Sequence, residues 1–336
     1  MKTQTRYFAA APILALLAGL LSAAGCESLP TRSPNPRYAS IVAVEPWSYP
    51  KSTAKVVRSK HYAIHTTIAD DDFLDKLGEL MESALAQYQQ FTPGVKVSSA
   101  PMDCYVFQWR QEWADFTAQK TGDDAALYLQ INRGGYTVRD WYVAYFIGDA
   151  GTYAVAAHEG WHQYVARHFK SRLPPFLEEG IATMFENVRF YRSPPVFDLS
   201  PRSHRAQKLR YAIESKNLWP LQKLMTMHAG DVVALPGAKI EAFYAQNWAF
   251  AEFLWDAENG KYRPALQRLL SDCANGTVYT DGKSVRRRII ETWNPESVRP
   301  MLEHYLEMDL PAIEQAYLTY CRKIAYASRS SAGIGG

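Results

Sequence analysis

Two hydrophobic periods alternate along the first half of the chain, and a single one governs the second. His61-Tyr62-Ala63-Ile64-His65-Thr66-Thr67 alternates with the two-residue period of a strand. Phe73, Leu77, Leu80, Met81, Leu85 and Tyr88 then recur every three or four positions, which predicts a helix capped by Asp71 or Asp72 and running to about Phe91. Met102 to Trp109 reads as a strand and Glu112 to Gln119 as a short helix. Ala126 to Asn132 and Tyr136 to Ile147 read as strands around a Gly134-Gly135 turn. Ala154 to Ala157 followed by Tyr164, Val165 and Phe169 predicts a mostly buried helix. Beyond residue 200 the period is helical throughout, over about 202–216, 238–257, 261–272, 295–307 and 310–326. No period of twenty to fifty residues repeats, so the chain is no solenoid. These elements predict an α+β fold with a strand-containing first lobe and a helical second lobe.

The two ends do not share this patterning. Lys2 and Arg6 precede an apolar run from Phe8 to Ala24, which ends in Ala23-Ala24-Gly25-Cys26. That is a charged n-region, an h-region and a small-residue cleavage site. It resembles a bacterial lipoprotein signal over residues 1–26, with Cys26 as the residue acylated after cleavage. Ala23 stands where such signals prefer leucine, so ordinary signal-peptidase cleavage or an uncleaved anchor are the alternatives. The expected location is extracytoplasmic, in a bacterial cell envelope, with membrane attachment through lipid on Cys26. Residues 27–50 carry Pro30, Pro34, Pro36, Pro46 and Pro50 and read as an extended tether. Residues 328–336 are Ser/Gly-rich and read as a disordered tail.

Charge narrows the partners. The 336 residues carry 37 Lys and Arg against 34 Asp and Glu, a net +3. Losing Lys2 and Arg6 with the leader would leave 35 against 34, a net +1. A chain this close to neutral is not built to grip nucleic acid or an anionic bilayer electrostatically. The run Arg286-Arg287-Arg288 reads as a solvated helix face. Besides Cys26 there are Cys104, Cys273 and Cys321, an odd set that allows at most one disulfide, for which Cys273 with Cys321 is the pair considered.

The chemistry is concentrated in Ala157-His158-Glu159-Gly160-Trp161-His162-Gln163-Tyr164, which places His-Glu-x-x-His inside the predicted buried helix. Residues four apart share a helix face, so His158 and His162 can both present an imidazole nitrogen to one metal ion. Glu159 projects beside that ion, where a carboxylate can take a proton from water. A zinc hydrolase needs a third protein ligand and an open position. His168 stands where metzincins place a third histidine, but Val165 replaces their turn-forming glycine and favours continued helix. A continuing helix points His168 away from the ligand face. The other candidates lie in Leu173-Pro174-Pro175-Phe176-Leu177-Glu178-Glu179-Gly180-Ile181-Ala182, where two prolines open a second helix with acidic residues in its first turn. Glu179 is taken as the ligand. The competing reading of Glu178 and Glu179 is a solvated pair at a helix N-terminus. His61 and His65 sit at strand spacing and are read as sheet positions.

His-Glu-Gly-Trp-His followed by Phe-Leu-Glu-Glu-Gly-Ile-Ala resembles the gluzincin pattern, most closely that of bacterial extracytoplasmic peptidase-MA-like proteins. The likeness is specific over residues 153–187 and extends as a pattern of elements over about 55–260. Phe176 replaces the family's usual tryptophan, and the loop between second histidine and glutamate is shorter than in the aminopeptidase branch. The resemblance implies a zincin (thermolysin-like) two-lobed catalytic domain over 51–327, with a central metal helix. It implies one Zn²⁺ held by His158, His162 and Glu179, and Glu159 as general base in hydrolysis of a peptide or protein substrate. It further implies an oxyanion donor from the helical lobe, for which Tyr244 stands at a suitable distance, with His204 and His228 as alternatives. An edge strand beside the cleft would bind substrate backbone, and Gly134, Gly135 and Tyr136 precede the metal helix by a plausible distance; a plain hairpin turn is the other reading of those residues. Two further functions stay open on the residues alone: a zincin-fold envelope protein that only holds a partner peptide, and a zinc amidase acting on a cell-wall amide. Zinc without peptide cleavage would favour the first.

Overall fold

The computed structural model describes residues 40–327, apart from 51–52, 133, 191–193, 233, 281–282 and 285–294. The expected leader, most of the expected tether, the arginine run and the tail lie outside the described residues. The architecture is mixed α+β, built on a six-stranded sheet of order β1-β2-β3-β4-β6-β5. The strands are β1 (Ile41–Trp47), β2 (Ala54–Ser59), β3 (Tyr62–Thr66), β4 (Met102–Phe107), β5 (Gly135–Val138) and β6 (Trp141–Tyr145). The central trio β3, β4 and β6 is parallel, while β1, β2 and β5 pair antiparallel with their neighbours.

Two long helices cover one face of this sheet: α1 (Asp71–Phe91) and α4 (Asp149–His168). The residues that alternate inward on the strands, Tyr62, Ile64, Cys104, Val106, Tyr142 and Ala144, join the main core with them. The opposite face packs Phe107, Val143 and Tyr145 against Trp113 and Phe116 of α2 (Arg110–Thr121), with the short α3 (Ala125–Tyr128) beside it. After α4 come α5 (Pro175–Met184) and a small hairpin, β7 (Val188–Arg189) with β8 (Val196–Phe197). The remainder is α6 (His204–Glu214), α7 (Leu221–Leu224), α8 (Ala229–Val232), α9 (Gly237–Gly260), α10 (Arg263–Asn275), the pair β9 (Tyr279–Thr280) and β10 (Lys283–Ser284), α11 (Pro295–Leu306) and α12 (Leu310–Tyr326). Backbone angles break the helical run of α9 at Ala257, Glu258 and Asn259. Among the described residues no helix is long and apolar enough to cross a membrane.

Four expectations need correction. Residues 41–47 belong to the sheet rather than to a tether: Ile41 is buried and β1 pairs along β2 despite Pro46, which an edge strand tolerates. Residues 126–132 contain a short helix and turns instead of a strand, with Arg110 Nη2 donating to the carbonyls of Leu129 and Ile131 at 3.0 and 3.4 Å. The hairpin turn falls at Arg139 and Asp140, where Arg139 takes φ 56°, and not at Gly134-Gly135. Gly135 is needed for another reason, since a Cβ there would lie 2.8 Å from the carbonyl oxygen of Val143. Finally, Cys104, Cys273 and Cys321 are free thiols. Each is buried in the packed interior, and burial pushes the Cys321 thiol up to about 12.

Candidate metal centre

Helix α4 owes its position to contacts behind it. Gly160, inside the motif, lets Tyr88 of α1 press against α4, and the Tyr88 hydroxyl donates to the Ala157 carbonyl at 2.5 Å. A Cβ on Gly160 would lie 2.8 Å from that hydroxyl oxygen. Trp161 is fully buried between Tyr88 and Phe185. The helix continues through Val165 to His168, as its β-branched side chain predicts. His168 is thereby turned to another neighbourhood, where its Nε2 accepts from the Ser98 amide at 3.1 Å.

On another side of α4, the largely buried His158 and His162 face α5. Pro174 and Pro175 open α5, which carries Glu178 at the end of its first turn and Glu179 next to it, towards the histidines. One ligand atom each from His158, His162 and Glu179 lie within 4.8 Å of one another. The two Nε2 atoms are 3.3 Å apart, and the Glu179 carboxylate oxygens lie 3.5 Å from His158 Nε2 and 3.8 Å from His162 Nε2. The opposite nitrogens are occupied: His158 Nδ1 is 3.0 Å from Glu186 Oε1, and His162 Nδ1 is 2.8 Å from Glu178 Oε1. Neutral imidazoles that donate Nδ1–H to those carboxylates leave two Nε2 lone pairs converging on one point, beside an anion. Glu179 Oε2 is also buried without a hydrogen-bond partner. Ligand atoms gathered in this way could hold a cation, and two nitrogens with one carboxylate oxygen form a donor set that suits Zn²⁺.

The charges agree. Burial lowers the pKa of His158, but the Glu179 and Glu186 carboxylates outweigh it and raise the pKa to about 10. His162 is likewise raised against its burial, chiefly by Glu178 and Glu179. Burial raises Glu186, yet the Arg205 guanidinium and His158 hold it at about 2. Arg205 Nη2 is 2.8 Å from Glu186 Oε2, and the guanidinium carbon sits 5.5 Å above the Tyr244 ring.

Sequence reasoning missed Glu186, Arg205 and Thr137. Glu186 follows Glu179 by seven residues but lies beyond the end of α5 at Met184, so no helical period could have flagged it. Nothing local in the sequence points to Arg205. Thr137 of β5 lies beside Glu159, with its hydroxyl 2.8 Å from Glu159 Oε2. Tyr244 of α9 is part of the same neighbourhood: burial, then the Glu179 and Glu159 carboxylates, push its phenol far above the ordinary value, so it stays a neutral donor. His204 opens α6 with Nε2 3.9 Å from Glu186 Oε2, whereas His228 pairs with Asp231 on α8 at 3.4 Å. His61 and His65 are engaged with Glu82 and Asp103, at 2.7 and 2.9 Å. No protein-family model matches this chain, and no curated protein is significantly similar to it.

Proposed function

We propose that this chain is a zinc-dependent metallopeptidase of the gluzincin type, with the zincin (thermolysin-like) arrangement of a sheet lobe and a helical lobe about a central metal helix. The observation that carries the reading is the convergence of the His158, His162 and Glu179 ligand atoms, with both imidazoles backed by carboxylates. Zinc held there would acidify water and polarise a scissile carbonyl. Glu159 follows the first ligand and is held close to the site, so it takes the proton of the attacking water and returns it to the leaving amine. Tyr244 donates its phenol hydrogen to the oxyanion that develops on the carbonyl. The outer edge of β5, unpaired among the described residues, is the place for an extended peptide to add as a strand. The lipoprotein-type pattern of residues 1–26 supports a location outside the cytoplasm, at a bacterial envelope, with lipid on Cys26.

The test is incubation of the purified protein with a diverse peptide library, with and without a chelator, read by mass spectrometry. Zinc-dependent cleavage is expected from the wild type. Glu159→Gln should keep its zinc and lose cleavage by about 10²–10⁴-fold, the usual range for a general base. Equal cleavage by the two proteins would end the peptidase reading.

A further inference from the structure

The metal helix has a second functional stripe. Glu159, Gln163 and Arg167 follow one another at intervals of four, so they share a face of α4 next to the face that carries His158 and His162. All three reach the β5–β6 hairpin. Gln163 is fully buried, and its Nε2 donates to the carbonyls of Asp103 at 2.8 Å and Asp140 at 2.9 Å. Its Oε1 lies 3.5 Å from Cys104 Sγ. Arg167 pairs with the Asp140 carboxylate at the hairpin turn. The first member of the stripe meets Thr137, whose Oγ1 lies 2.8 Å from Glu159 Oε2 and 3.1 Å from the Glu159 carbonyl oxygen.

We propose that Thr137 is a positioning residue, whose hydroxyl aims the Glu159 carboxylate from a hairpin that Gln163 and Arg167 clamp to the metal helix. The inference rests on the assignment of Glu159 as base. A glutamate side chain has three rotatable bonds, and only a narrow set of its rotamers brings an oxygen within reach of the attacking water. Among the described residues Thr137 is the hydrogen-bond partner of that carboxylate. β5 is a short edge strand, yet its hold on α4 is supported by a buried amide whose two N–H groups are both used. A fixed hairpin with one hydroxyl on the base is a rigid second anchor for a side chain whose first anchor is its own helix.

Thr137→Val keeps the β-branched shape and removes the hydroxyl; Thr137→Ser keeps the hydroxyl. With zinc content at the wild-type level in all three proteins, Thr137→Val should lower kcat by about 10- to 100-fold with KM little changed, the scale of a misplaced catalytic group. Thr137→Ser should recover most of that loss. A fully active Thr137→Val, or a serine variant as impaired as the valine one, overturns the proposal. Crystal structures of the zinc-loaded variants supply a readout that needs no substrate. The Glu159 carboxylate should leave its place in Thr137→Val and return in Thr137→Ser. If it stays in place in Thr137→Val the proposal fails, whatever the activity. If it moves as expected while the wild type cleaves no peptide, only the peptidase reading fails.

Discussion

Each imidazole of the centre has one nitrogen tied to a carboxylate and the other turned to a shared point, which divides the side chains here into holders and candidate ligands. His158 and His162 are held from behind by Glu186 and Glu178, and Glu179 faces their free nitrogens. The mature protein should therefore bind about one zinc per chain. His162→Ala and Glu179→Ala should each lose most of it, because three ligands leave no redundancy, and His168→Ala should change little. Elemental analysis after dialysis reads the outcome; zinc that survives Glu179→Ala but vanishes in His168→Ala would replace this ligand set with a metzincin-like one. Tyr244 is tested by Tyr244→Phe, which removes the hydroxyl and keeps the ring beneath Arg205. Zinc binding and folding should persist while kcat falls by about 10²–10³-fold, as for one lost oxyanion donor. An unchanged kcat would shift attention to His204, which lies near Glu186.

Helix α5 delivers Glu179 only because it packs tightly against α9. A Cβ on Gly180 would lie 2.3 Å from the Asn247 carbonyl oxygen, and backbone cannot yield as a flexible side chain can. The glycine after the ligand is thus a packing requirement at a helix crossing. Gly180→Ala should cost about 1–3 kcal/mol of stability through overpacking, and it should weaken zinc binding by displacing the neighbouring Glu179. Gly237→Ala, at the start of α9 with open space around it, is the control and should be neutral or slightly stabilising. Denaturant melts and zinc titrations on the two variants separate these outcomes. At Gly160 the neighbour is instead a side-chain tip, the Tyr88 hydroxyl of α1.

Over the whole molecule, the sheet lobe and the helical lobe share one hydrophobic core, and within it lies an acid with no role in the centre. Glu252 of α9 is 1% exposed, its Oε2 has no hydrogen-bond partner, and burial followed by the Asp256 charge raises its pKa well above the ordinary range. The sign follows from linkage. Below about pH 4 both folded and unfolded chains hold the proton, so the group is without effect. As pH rises, the unfolded chain gains the free energy of ionising and the folded chain does not, so stability falls until the folded pKa is reached. Glu252→Gln should therefore stabilise the protein at pH 7 and lose that advantage near pH 4. Thermal melts of both proteins across this range decide it; an advantage independent of pH would mean that Glu252 is ionised in the fold.

The sequence by itself determined what lies within one element. The 3.6-residue period placed His158 and His162 on one face, Val165 carried the helix on to His168, and Pro174-Pro175 opened the helix that bears Glu179. These are local consequences of backbone geometry, and the long helices after residue 200 were legible for the same reason. Tertiary structure alone decided the partners that meet across the chain: Glu186 on His158, Arg205 on Glu186, Thr137 on Glu159. It also decided that residues 41–47 close the sheet, and that Gly135 lies inside a strand. No periodicity encodes these, because a hydrogen bond between distant residues depends on how the elements pack, and strand pairing is set by the neighbour as much as by the strand.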